Sequence, residues 1–389
     1  GVATFTTNSL ASGSHSLTAE YSGNTALLAS TSNAGIQLVR TVSTTTVTSS
    51  NLNAAYQASV TLTATISNSS ATGTVDFFDG STRIAQGVAI NNGVATFTTS
   101  TLSAGPHSIT AAYNGDNSFT TSTSSAISQS VIATSTTALS SSANSAVAYN
   151  TAVTFTATVS GSAGTPTGTV QFYLDDAPLG TPVTLNAGVA VYTSLVNSGS
   201  NSDVPLPAGS LNIKAIYSGD SSYSNSASSV VNQVVNATTA TTVTSSTAST
   251  LLGSTATFVA RVTNTSGSTA PTSANVSFFD GSTLLGTVSA SPVANNNYSE
   301  ATFTISNLVA GNHSITAEYA GNPQTFFSNS ESSVLSHNVV LNTTTTVTAT
   351  PASAYQNDQV TFSATVARTS AGATPTGTIT FFNGNTQLG

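Results

Sequence analysis

Four short blocks recur in fixed order along the chain, and the spacing of their copies sets the size of the unit that can fold. The most distinctive, here the fourth, runs Leu10-Ala-Ser-Gly13-Ser-His15-Ser-Leu17-Thr-Ala19-Glu-Tyr21. Copies start at Leu102, Leu206 and Leu308 and end at Tyr113, Tyr217 and Tyr319. A period of about one hundred residues is too long for a solenoid unit. It fits an independent domain with its own core.

The other blocks say what kind of domain. The first, Val60-Thr-Leu62-Thr-Ala64-Thr-Ile66, returns at Val153 to Val159, Ala256 to Val262 and Val360 to Val366. Apolar residues at every second position, with mostly Thr or Ser between, mark a strand with one buried face. The second block, Thr72-Gly-Thr-Val-Asp-Phe-Phe-Asp-Gly80, returns at Thr167 to Tyr173, Asn275 to Gly281 and Thr376 to Gly384. Its closing Asp-Gly or Asn-Gly is a hairpin signal, because both residues tolerate positive φ. The third block, Gly1 to Thr7, returns at Gly93 to Thr99, Gly188 to Ser194 and, loosely, Ser299 to Ile305. Opening strands fall near Val47, Leu139, Val243 and Val347, and closing strands near Ile36, Val131, Val231 and Val339. About seven short strands per unit, with turns every eight to twelve residues or so, are the pattern of an Ig-like sandwich. No stretch carries a helical period.

The blocks together closely resemble the bacterial Ig-like domain repeats of large secreted and surface proteins, over essentially the whole chain. The resemblance implies an Ig-like fold, no catalytic residues, and a role as spacer, adhesin stalk or extracellular fibre. The expected architecture is all-β: tandem immunoglobulin-like β-sandwich domains forming an elongated rod. Its segments are 1–41 (late strands only), 42–134, 135–237, 238–342 and 343–389 (early strands only). His15, His107 and His313 take a position like the tyrosine of the Ig tyrosine corner; the third repeat has Leu211 there.

Alternation puts His15, Leu17, Ala19 and Tyr21 on the core face, with Leu10 nearby and Gly13 permitting the turn before the strand. Facing strands are expected to add Phe5, Phe97, Tyr192 and Phe303, with Phe77, Phe172, Phe278 and Phe381. Phe78, Tyr173, Phe279 and Phe382 have the opposite parity. They are either covered by their own hairpins or point outward as contacts between domains or chains.

Composition removes several functions. Five Lys and Arg in 389 residues make no basic patch, so no nucleic-acid partner is expected. No apolar run approaches the length of a membrane span. Without cysteine there is no disulfide framework or thiolate metal site. Charged residues are 5% of the chain, yet 38% is apolar, which argues against disorder.

The four histidines are three repeat-equivalent ones and His337 in a strand, and equivalent positions in separate domains cannot share one metal. Asp79 and Asp280 precede Gly in turns; Asp116 and Asp220 sit in a Tyr-x-Gly-Asp loop where Asn24 and Asn322 replace them. These acids read as turn chemistry, with no clustered calcium loop and no serine-nucleophile elbow. Lys214 is the sole lysine, so Lys–Asn isopeptide bonds cannot stabilise every repeat. No enzyme, metal or cofactor is expected.

The expected partners are neighbouring domains of the array and, through partial ends that could complete each other between subunits, other copies of the chain. The favoured reading of those ends is a window on a longer array. The expected function is a non-catalytic extracellular or cell-surface stalk or self-assembling fibre; the alternative is an adhesin whose loops bind a carbohydrate or protein. The loops at Leu195 to Leu206 and Pro292 to Tyr298 are longer than their counterparts and share no common chemistry.

Overall fold

The computed structural model describes residues 1–195, 205–272, 275–369 and 374–389, and the regular structure in them is all β. The period-2 pattern decides which way each strand faces. In Val60–Ile66 the residues Val60, Leu62, Ala64 and Ile66 are buried, while the threonines between them lie on the other face. Burying a side chain such as Leu62 contributes about 1.5–3 kcal/mol.

The chain divides into two compact units. One holds Gly1–Ser142, Thr154–Tyr192 and Asn212–Val231; the other holds Ala143–Val153, Thr193–Leu211 and Asn232–Gly389. The second repeat lies wholly in the first unit and the fourth wholly in the second.

In the second repeat Val60–Ile66 lies between Val94–Thr99 and Thr45–Ser49, antiparallel to both. The other sheet orders Asn53–Ala55, Ile127–Ile132, Gly105–Tyr113, Thr74–Asp79 and Thr82–Ala89. Asn53–Ala55 runs parallel to Ile127–Ile132, so the opening segment crosses from one sheet to the other. Leu62, Phe77, Ile109 and Tyr113 fill the space between the sheets at 0–1% exposure. The fourth-block strand starts at Gly105, whose φ of +130° is strained for any residue with a Cβ.

The fourth repeat follows the same plan. Ala256–Asn264 lies between Thr239–Ser245 and Tyr298–Ile305, and Ser291–Pro292 adds an edge. The second sheet orders Ser249–Leu251, Leu335–Val340, Gly311–Tyr319, Asn275–Asp280 and Thr283–Ser289. Phe258, Phe278, Ile315 and Tyr319 form its core. In the third repeat Ser135–Ser141 pairs Thr154–Gly161, Thr169–Leu174 pairs both Ala177–Thr184 and the fourth-block strand, and Val147–Ala148 runs parallel to Val231–Asn236.

Some expected core aromatics sit elsewhere. Phe97, Tyr192 and Phe303 are half-buried; they cap the core, with ring centroids 5.9, 5.7 and 5.1 Å from Phe77, Phe172 and Phe278. Phe5 is 90% exposed, and Leu17 and Tyr21 are exposed as well. Within residues 1–41 the ladders are Gly13–Leu17 with Gly35–Val39 and Glu20–Tyr21 with Ser30–Thr31. These residues contain no first or second block to cover those side chains. Residues 343–389 pair Thr343–Thr350 with Thr361–Arg368 and Phe382–Asn383 with Thr386–Gln387. Phe381 there is half-buried, its ring 6.4 Å from that of Phe362. Most of the loop after Leu195 lies outside the described residues.

Candidate functional site

The expected corner histidines are built as clamps. The second-block turn delivers Asp79 beside the first turn of the fourth-block strand. His107 Nδ1 lies 2.7 Å from Asp79 Oδ2, and Nε2 lies 2.8 Å from the Ser103 carbonyl. The other carboxylate oxygen accepts from the Ser108 amide at 3.1 Å. The fourth repeat repeats this with Asp280 at 2.7 Å, the Val309 carbonyl at 2.8 Å and the Ser314 amide at 2.9 Å. A carbonyl only accepts, and the carboxylate prefers a donor, so His313 suits the doubly protonated ring. Desolvation opposes that charge, but the Asp280 and Val309 hydrogen bonds and the Asp280 charge outweigh it and hold His313 above the usual histidine range. His15 keeps its carbonyl contact, at 2.7 Å to Ala11. In the third repeat Leu211 is buried, and Asp175 instead accepts from the Asn212 amide and side chain at 3.1 Å. The aspartates expected only to turn the chain also anchor the corner.

A second polar position, under the closing strand, was not legible as a site. Gln129, 1% exposed, accepts from Ser49 Oγ at 2.6 Å and donates to the Asn51 carbonyl at 2.8 Å. It pins the crossing of the opening segment. Gln233 donates to the Ser145 carbonyl at 3.3 Å. The fourth repeat carries His337 here, with Nε2 3.0 Å from Thr250 Oγ1 and the ring edge-on to Phe258 at 5.2 Å. The available signal was register: Gln129, Gln233 and His337 all stand two residues before a buried valine or its equivalent.

The Tyr-x-Gly-Asp loop is the third. Asp116 Oδ2 accepts from the Thr72 amide and hydroxyl at 2.8 Å, and Oδ1 from the Ser118 and Phe119 amides at 2.7 Å. Burial disfavours the anion, but these four hydrogen bonds prevail and hold its pKa at about 2. Asp220 does the same with Thr167, Ser222 and Tyr223, also at about 2. Asn322 replaces the charge, accepting from Gln324 and donating to the Thr272 carbonyl.

The folded loop then grips the residue that enters its repeat. Thr41 donates to the Ser118 carbonyl at 2.7 Å and accepts from the Thr120 amide at 3.0 Å. Ala133 does so with Ser222 and Ser224, and Ala237 with Phe326 and Ser328, at 2.7–2.9 Å. Beside each grip is a hydroxyl cluster: Ser122 with Ser43 and Thr45, Ser226 with Ser135 and Thr137, Ser330 with Thr239 and Thr241, at 2.7–2.8 Å. This is one use for so many hydroxyls in a chain with so few charges.

The outward-parity aromatics divide. Phe78, Tyr173 and Phe279 are half-buried and Phe382 is exposed. Lys214 Nζ lies 5.7 Å from the Tyr173 ring centroid. Across the hairpin, Phe78 faces Arg83 and Phe279 faces Leu284. Among the described residues, no three of His, Asp and Glu gather as metal ligands, and no helix is long and apolar enough to cross a membrane. The elements bring together hydrogen-bonding groups that hold strands and junctions.

Comparison with curated proteins finds no match. Among solved structures, an ectodomain fragment of ICAM-5 aligns at 14% identity and TM-score 0.44, over 85% of this chain and 84% of that one. FdeC, an Escherichia coli adhesin, aligns at 16% and 0.31, over 77% and 96%. A family model, bacterial Ig-like domain (group 3), matches residues 46–132, 139–236 and 242–340. Three tandem matches span most of the chain, and it belongs to that bacterial Ig-like domain family.

Proposed function

We propose that this chain is a non-catalytic structural segment of an extracellular or cell-surface protein, a stalk that holds other parts of the molecule at a distance. The observation that carries this reading is the junction. At Thr41, Ala133 and Ala237 both backbone groups are hydrogen-bonded to the loop of the repeat being entered. A junction held this way transmits force and orientation, whereas a Gly-rich linker would behave as a coil. The first partners are then neighbouring repeats of the same array. An adhesin reading lacks a comparable observation, since the loops of the repeats share no common binding chemistry.

The test is nitrogen-15 relaxation of the whole chain, with and without Gly-Gly-Ser inserted after Ala133. A stalk predicts one shared tumbling time for the repeats flanking that junction, lost on insertion. Independent tumbling of those repeats in the unmodified chain would sink the reading.

A further inference from the structure

The fourth repeat holds two histidines where the second holds one and the third none. His313 and His337 are direct cross-strand partners in the pairing of Gly311–Tyr319 with Leu335–Val340. Both face the interior, at 5% and 0% exposure. Their surroundings demand opposite protonation states. His313 lies between the Asp280 carboxylate and the Val309 carbonyl, two acceptors that want a proton on each ring nitrogen. His337 has no carboxylate. Its Nε2 meets the Thr250 hydroxyl, its Nδ1 is buried without a well-formed hydrogen bond, and Phe258 presses against the ring.

The groups facing the pair can be named element by element. Asn275–Asp280 supplies Asp280, already engaged by His313 and the Ser314 amide. The opening segment supplies the Thr247 backbone and Thr250, Ala256–Asn264 supplies Phe258, and Thr239–Ser245, packed on both strands, has no titratable side chain, so none of these carries charge. A proton on His337 would therefore create a second buried cation beside His313 with no counter-ion of its own.

We propose that this histidine pair is an acid-sensitive latch: protonation of His337 below neutral pH releases Ser249–Leu251 from Leu335–Val340 in the fourth repeat, while the second and third repeats stay closed.

Burial pushes His337 below the usual histidine range; the Thr247 backbone opposes the shift and the His313 charge adds to it. The sign follows. A neutral ring with a depressed pKa stabilises the fold above the unfolded value of about 6.5, and that stability drains as pH falls toward the folded value. Gln129 and Gln233 make the corresponding contacts without a titrating group, so the other repeats act as internal controls.

Deuterium exchange of the full chain between pH 7.5 and 5.0, corrected for intrinsic rates and resolved by peptide, tests the latch. Opening of Ser249–Leu251 and Leu335–Val340 should rise by up to roughly tenfold per pH unit below about 6.5. The peptides holding Asn53–Ala55 with Ile127–Ile132, and Val147–Ala148 with Val231–Asn236, should stay level. His337→Gln installs the residue of the other repeats and should flatten the rise; His313→Leu should reduce it by removing the neighbouring charge. A fourth repeat no steeper than the second, or a His337→Gln chain that keeps the slope, overturns the proposal. Independently of any variant, the His337 ring proton should titrate below the ordinary histidine value by NMR. Titration at or above that value also overturns it.

Discussion

The second and fourth repeats share a strand plan and the same aspartate–histidine corner, and two of the interior polar positions at which they differ can be compared contact by contact. Gln129 becomes His337 under the closing strand, and Asp116 becomes Asn322 in the junction loop. Each replacement keeps a role in holding the backbone. Gln129 and His337 both tie the opening segment, through Asn51 or Thr250; Asp116 and Asn322 both accept from an amide two residues on. What changes is the charge each group can gain or lose. The fold constrains the contact at these positions and leaves the titration free, so repeats of one architecture can answer pH differently.

The harshest way to break the comparison is to remove the corner carboxylate in each repeat. Asp280→Ala strands a buried imidazole beside His337, whereas Asp79→Ala strands one beside Gln129. Removing one partner of a buried pair costs about 3–5 kcal/mol. The Asp280 side chain is 28% exposed, so about 2–3 kcal/mol is expected at pH 6, with a smaller loss in the second repeat. Urea dependence of exchange in each fourth-block strand measures both. Equal losses would mean that His337 does not sense its neighbour.

The junction loop comes next. The folded pKa of Asp116 is about 2, below its unfolded value near 3.9. Its stabilisation is therefore present above pH 4 and lost as pH falls toward 2. Partial exposure screens the effect, leaving about 1–2 kcal/mol. The loop of the second repeat should loosen in that window and the Asn322 loop should not. Asp116→Asn should abolish the acid limb, and Asn322→Asp should introduce one in the fourth repeat. Exchange of the Phe119 and Phe327 amides between pH 5 and 2 reads both outcomes.

The fold was legible because its signals are periodic and repeated. The alternation in Val60–Ile66 needs only the pleat to become a buried face, and the Asp-Gly turns need only positive φ. The corner was half legible. His107 and His313 were placed by strand parity, but Asp79 and Asp280 were read as turn residues. Their pairing with histidine depends on how the second- and fourth-block strands register, a contact 28 residues apart in the second repeat. His337 read as a lone histidine because its meaning comes from the cross-strand partner, which no local pattern records. Phe5 and Tyr21 failed in the other direction: parity assigned them a core, but burial also needs covering strands.

A smaller effect separates the corner from the latch. His313 has a raised folded pKa, so its contribution is complete below about 6.5 and is lost as pH rises through the folded value. The fourth repeat should then be most stable near neutrality, losing His337's share on the acid side and His313's share on the alkaline side. His313→Leu should remove the alkaline decline and leave an acid decline that is shallower. Urea midpoints read by exchange from pH 6 to 9 would show it. A decline that survives His313→Leu would have to come from another group.

The smallest effect concerns the outer face, where the two repeats again differ. Phe78 lies across from Arg83 and Phe279 from Leu284, which is 56% exposed. An apolar pair on an outer sheet face is the composition of a contact surface, whereas an arginine beside the ring keeps the face hydrated. Leu284→Arg copies the second repeat onto the fourth. An exposed substitution of this kind should change stability by no more than about 0.5 kcal/mol. If Phe279 meets another chain, the same substitution should shift sedimentation of concentrated protein toward the monomer, and Arg83→Leu should shift it the other way. Sedimentation unmoved by both changes would assign Phe78 and Phe279 to their own hairpins, as covers and not contacts.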